Sequence, residues 1–379
     1  MALSFINLPV EMVASILEQL DNIMDLPPVL LTHSCFKNVL EALPGIPEKI
    51  IQRQIHPHLL PLAVAHMEAS DKSYGVDDGL KPIGMKGLMW IGFFHDLIEG
   101  FVDKYVNAAI AKMARLGSLP QERKLSEAEH VRFFSAFYRL ELFFKLCAGD
   151  GNCSVNFQAS RACKVLRQHP PWERQQMRGV YHRLLKIYYD LCDSAEEVGV
   201  ALPDHENIAR QRLLWPCICA SRGFVFTQHV LRSTSPEVRN RLFLDGLRSR
   251  YVDFEDAEDA MINIGGTSPP WVDFLGERLV LLQRSYHPYD RDIGPAVIWA
   301  RCHLNTMLPE LFFEEETALG EIAYLFWDKK RISQWALWDK VDGCLHGGMP
   351  PDDDDDAYEP LVLLGNWTVS VFPWAPRLN

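Results

Sequence analysis

Apolar residues recur at helical spacing from the start of the chain. In LPVEMVASILEQL (8–20), Val10, Val13, Ile16, Leu17 and Leu20 return every three or four positions and form a stripe along one helix. Pro9 suits a first turn, where its missing N–H costs nothing, and Glu11 suits the positive end of the helix dipole. A second short helix is predicted over 27–41, carrying Leu30, Leu31, Phe36, Val39 and Leu40. Pro44, Pro47 and Pro57 make 44–57 a helix with loose ends. Residues 70–87, rich in Gly, Asp and Lys, read as a loop. Long periodic stretches then predict helices over 88–115, 126–148, 171–199 and 205–232.

Beyond residue 232 the pattern is more broken. Ser235 and Pro236 form a cap-and-N1 signal, and IGGTSPPW (264–271) reads as a loop. Helical patterns return over 272–284, 293–308 and 314–340. Gly and Pro in GCLHGGMPPD (343–352) then interrupt the chain. An acidic run, Asp352 to Asp356, precedes a partly β-branched tail (361–379) with Trp367 and Trp374 that suits a short extended segment. No internal repeat has a fixed period. The expected fold class is mainly α, in three segments: a helical N-terminal segment (1–60), a helical main domain (61–342), and an acidic loop with an apolar tail (343–379).

Composition narrows the class further. Apolar residues make up 48% of 379, enough for a sizeable core, and 23% charged residues rule out wholesale disorder. No run of about 18 apolar residues is free of charge, so no membrane span is expected. MALSFINLPVEM lacks the basic and apolar regions of a signal peptide. The nine cysteines include no C-x-x-C pair, and Cys217 and Cys219 sit in an apolar run, so buried thiols in a reducing, cytoplasmic setting are expected.

Charge is uneven along the chain. Residues 1–160 carry a net −4, 161–250 a net +6 and 251–379 a net −14. A basic middle between acidic flanks could hold a polyanion locally, although solvated helix faces produce the same tally. His56 and His58 are weak metal candidates, and DFEDAEDA (253–260) and Glu314 to Glu316 read as helix starts or solvated faces. No P-loop, nucleophile elbow or H-E-x-x-H zinc motif is present, and no metal site is assigned.

The opening LPVEMVASILEQLDNIMDLPPVLLTHSCFKNVL is similar to that of fungal F-box-like proteins, through Leu8, Pro9, Glu11, Ile16, Leu17, Leu31, Thr32 and Phe36. FSAFYRLELFFKLCAG (134–149), HPPWERQQM (169–177) and EIAYLFWDKKRISQW (321–335) resemble further segments of that group, Arg-Ala-x-Tyr-Arg-x-Glu, Pro-Trp-Glu and Gly-Tyr-x-x-Trp-Asp-x-x-Arg-Leu. Two departures stand out: Ser135 replaces a common Arg, and Ile322–Ala323 replaces a usual Trp-Gly. The resemblance implies an F-box-like helical hairpin that binds the ubiquitin-ligase adaptor Skp1 through Leu8, Pro9, Ile16 and Leu17, helix in groove. The alternative is that the hairpin packs on the rest of the chain.

A second resemblance lies near the C-terminus, and it carries the function the sequence favours, with the Skp1 adaptor as the alternative. Asp355, Asp356 and Glu359 spell D-D-x-x-E, a motif similar to that of fungal arginine-containing cyclodipeptide synthases. It implies an enzyme that joins the arginyl group of arginyl-tRNA to a second aminoacyl group from its tRNA and closes a diketopiperazine. In a helical turn Asp355 and Glu359 share a face, where two carboxylates can grip a guanidinium or take a proton from an α-amine. The sequence requires no cofactor; the same carboxylates suit Mg²⁺. Arg161, Lys164, Arg167, Arg174, Arg178, Arg183 and Lys186 are the candidate contacts to tRNA phosphates. An acidic run also generates this motif by chance, as a solvated loop.

Overall fold

The computed structural model describes residues 8–70, 83–115, 124–147, 169–197, 219–233, 292–304 and 320–337, with a few isolated positions between 216 and 242. The described part is 80% helical and contains no strand, which makes it mainly α. The elements are α1 (Val10–Glu18), a 3₁₀ turn (Ile23–Asp25), α2 (Leu26–Thr32), α3 (Ser34–Ala42), α4 (Ile46–Gln54), α5 (Leu60–Ser70), α6 (Met85–Arg115) and α7 (Glu127–Cys147). They continue with α8 (Pro171–Glu197), α9 (Gly223–Arg232), α10 (Gly294–Leu304) and α11 (Lys329–Gln334). No described helix is long and apolar enough to cross a membrane.

The predicted helix over 27–41 is two helices. His33 takes an extended conformation between them, and its Nδ1 accepts the Cys35 N–H, so a histidine side chain caps α3. The predicted 205–232 helix begins anew at Gly223, after a turn at Ser221–Arg222. The predicted 314–340 helix is, over its described residues, a turn-rich stretch that ends in the short α11. At the expected cap near 235, Ser235 Oγ accepts the Val238 N–H at 3.4 Å.

Helices α5, α6, α7 and α8 pack in succession, with α9 laid on α6 and α7 and α10 on α8 and α11. The core is aromatic. Phe133 stacks on Phe326 at 4.2 Å, Tyr105 meets both edge-on, and Trp327 closes the cluster against Trp335. One buried core continues from α1 to Leu337, through the start of α5 at residue 60.

Two histidines in this interior set an acid limit. His95 is stacked on Phe134, with Tyr138 Oη at 3.2 Å, and burial pushes its pKa down to about 4. Burial, helped by Arg178, pushes His182 down to about 3. Both lie below the unfolded value near 6.5, so protons bind the unfolded chain better. Stability is therefore full above pH 6.5 and falls as the pH drops towards the folded pKa values. At pH 5 each histidine should cost about 2 kcal/mol relative to pH 7. Chemical denaturation at the two pH values checks this, with His95→Gln removing about 2 kcal/mol of the loss; equal pH dependence in the variant would refute it.

Candidate functional site

The N-terminal helices are held rigidly. Arg53 on α4 donates to Glu18 O and Gln19 Oε1 at 3.0 Å, to Asp21 Oδ1 at 2.8 Å, and to Gln19 O. Lys49 adds a 2.6 Å pair to Glu18, so two cations sit at the negative end of α1. On the other side Asp96 of α6 accepts from Asn22 at 2.7 Å and from Gln54 at 2.8 Å. Gly92 makes room there: a Cβ at that position would lie 2.2 Å from Ile23 Cγ2. The N-terminal helices therefore pack on the body through one side.

These anchors fix which side of α1 is wet. Val13, Ala14 and Leu17 point into the core. Val10 (47%), Met12 (52%) and Ile16 (41%) remain exposed, as do Met24 in the 3₁₀ turn and Leu31 (88%) in α2. Met12 and Ile16 are one turn apart and share a stripe. Six of the eight large exposed apolar side chains among the described residues lie between Val10 and Leu43.

The implied Skp1 contacts divide on this geometry. Pro9 and Ile16 are exposed and Leu8 is half-buried. Leu17 needs correction: it is 0% exposed and belongs to the core, so it cannot touch a partner while α1 stays seated. Met12 takes its place on the outward stripe. Sequence periodicity missed Met12 because α1 carries apolar residues on both sides.

The other segments that carry the resemblance meet inside the protein. Ser126 and Glu129 form a reciprocal capping box at the start of α7: Ser126 N–H donates to Glu129 Oε2 at 2.9 Å, and Glu129 N–H donates to Ser126 Oγ at 3.1 Å. Glu129 is fully buried, and its Oε1 receives Arg331 Nε at 2.8 Å and the Asp328 N–H at 2.9 Å. Arg132 reaches Asp328 at 2.8 Å and Phe326 O at 3.2 Å, while Ser126 Oγ donates to Asp328 Oδ2. Burial still raises the Glu129 pKa despite these bonds. Arg331 also lies over Trp327 and Trp335. Arg139 and Glu173, from the other two segments, pair at 3.1 Å. The Trp-Asp-x-x-Arg and Tyr-Arg-x-Glu residues thus hold helices together.

The departure at Ala323 also has a structural consequence. Its φ is +51°, the left-handed region where a Cβ costs about 1–2 kcal/mol and glycine costs little. Bonds from Gln176 to Leu325 O at 2.7 Å and from Trp327 to Ile322 O at 2.7 Å hold the strained turn.

The remaining sequence candidates are less assembled. Arg174, Arg178, Arg183 and Lys186 all lie on α8. Arg178 is buried, and its Nε donates to His182. Arg174 and Arg183 are half-buried; Lys186 is exposed and pairs with Glu321, which also takes Lys112. Asp355, Asp356 and Glu359, together with Arg161, Lys164 and Arg167, lie outside the described residues. His56 pairs with Glu127 at 2.9 Å, and among the described residues no His, Cys, Asp and Glu cluster could hold a metal ion. No family model, curated protein or solved structure matches this chain.

Proposed function

We propose that this chain is an F-box-like adaptor whose N-terminal helices dock on Skp1. The observation that carries this reading is the outward apolar stripe of Met12 and Ile16, with Val10 and Leu31 nearby in sequence, on helices pinned from behind by Arg53 and Asp96. A partner that covers such a face gains about 1.5–3 kcal/mol for each large apolar side chain buried. The helices are already ordered, so docking does not have to pay for folding them.

The test uses the full chain and purified Skp1. The wild type should bind in the micromolar range or tighter. Met12→Asp with Ile16→Asp should weaken binding at least about a hundredfold, which is about 2.7 kcal/mol. Both side chains are exposed, so circular dichroism should stay unchanged. Equal binding by the double variant, or no complex at tens of micromolar, would remove the adaptor reading.

The D-D-x-x-E sequence supports a second reading, an arginine-containing cyclodipeptide synthase. There Asp355, Asp356 and Glu359 would handle the arginyl group and the proton of the attacking amine, with Mg²⁺ as a candidate ligand. Cations on α8 would contact the tRNAs, with Lys186 the most exposed of the four described. This reading rests on sequence.

A further inference from the structure

Glu141 on α7 is a buried carboxylate at the N-terminus of α9. Its Oε2 accepts the Phe224 N–H at 2.9 Å. Gly223 (φ +82°) presses against it: a Cβ there would lie 2.4 Å from both carboxylate oxygens. Its Oε1 faces His66 Nε2 at 3.8 Å and Lys145 Nζ at 4.0 Å. Lys145 instead bonds Ser70 Oγ at 2.7 Å, and Ser70 in turn donates to His66 O at 2.6 Å.

His66 itself is 1% exposed, and neither ring nitrogen has a hydrogen-bond partner. Its ring stacks on Phe94 at 3.6 Å and on Trp90 at 6.4 Å. A buried donor left unpaired costs about 1–3 kcal/mol, so neutral His66 is poorly served where it stands. An imidazolium would find a carboxylate within 4 Å and an aromatic face against its ring.

We propose that His66 and Glu141 form a proton-operated latch on α9: protonating His66 draws the Glu141 carboxylate off the Phe224 N–H and releases the start of that helix. Gly223 blocks one side of the carboxylate, and His66 waits on another. α5 brings His66 and Ser70, α6 brings only the Trp90 and Phe94 rings, and α7 brings Glu141 and Lys145. α9 brings main-chain N–H. Tyr188 of α8 feels Glu141 as well as Cys219 and Arg222, but its hydroxyl is held by Thr227 at 2.9 Å. Burial holds the His66 pKa below its ordinary value, with Glu141 opposing, so the latch opens on the acid side of 6.5.

Native-state hydrogen exchange on the full chain tests the latch, comparing pH 7.5 with pH 5.5 after correction for intrinsic rates. The amides of Phe224 to Thr227 should lose about tenfold in protection relative to those of Phe133 to Phe137 in α7. His66→Phe keeps the stack and should abolish that difference. Glu141→Gln keeps an acceptor for Phe224 but not the charge, and should abolish it too if His66→Phe fails to fold. Equal losses in α7 and α9, an unchanged difference in either folded variant, or no loss in the wild type would each overturn the proposal.

Discussion

Arg331→Met should cost about 3–5 kcal/mol of stability, because it leaves the Glu129 carboxylate buried without its cation. Glu129 is wholly enclosed, and Arg331 Nε is its only ion-pair partner among the described residues. Two main-chain N–H groups, from Ser126 and Asp328, would still bond the carboxylate, so its oxygens keep hydrogen bonds but lose the compensating charge. The loss has a distinctive pH dependence. Burial already raises the Glu129 pKa, and removing Arg331 takes away a cation that lowers it. Protonation then erases the unpaired charge, so the gap between variant and wild type should narrow as the pH falls. Adding Glu129→Gln should recover part of the loss, since the double variant buries no charge. Urea denaturation of the four proteins at pH 7 and pH 5 provides the cycle. If the single variants cost under about 1 kcal/mol, or their effects simply add, Arg331 and Glu129 do not stabilise the fold as a pair.

The long helices were legible because burial on one side dictates a 3.6-residue period. Expected bounds of 88–115, 126–148 and 171–199 correspond to Met85–Arg115, Glu127–Cys147 and Pro171–Glu197. The breaks that sequence missed have causes outside the local pattern. His33 ends one helix and caps the next, a role that Ser, Thr, Asp and Asn usually advertise. Gly223 turns because a carboxylate more than eighty residues earlier occupies the space beside it. Ala323 and Ala336 take positive φ in a segment whose apolar spacing reads as helix, and beside Ala323 a long-range bond from Gln176 to Leu325 O holds the turn. The predicted helix start at 126 agrees with the Ser126–Glu129 capping box, but the reach of Glu129 to Arg331 was not legible, since sequence gives no distance between residues two hundred apart.

The candidate surface shows the same division. The residues through which α1 resembles an F-box-like opening were visible, yet the apolar pattern could not say which would be covered. Leu17 and Ile16 are adjacent and chemically equivalent in the pattern; only the packing of α1 on α3 and α4 sends one inward and leaves the other out. Among the α8 cations, likewise, helical periodicity gives no sign that Arg178 turns inward to His182 while Lys186 remains in solvent.

The synthase reading makes a prediction of comparable size to the Arg331 effect. If Asp355, Asp356 and Glu359 hold the arginyl group or move its proton, charge matters more than bulk there. Asp356→Asn and Glu359→Gln preserve shape and should lower product formation about 10²–10⁴-fold, the usual contribution of a general base. Asp352→Asn and Asp353→Asn fall earlier in the same acidic run and should be nearly silent. Expression in a host that supplies charged tRNAs, with mass spectrometry for arginine-containing cyclic dipeptides, gives the readout. Met12→Asp with Ile16→Asp provides the cross-check: it should abolish Skp1 binding under the adaptor reading and leave cyclic dipeptide formation untouched under the enzyme reading. A wild type that makes no cyclic dipeptide, or a set of aspartates that all behave alike, would assign D-D-x-x-E to a solvated acidic run.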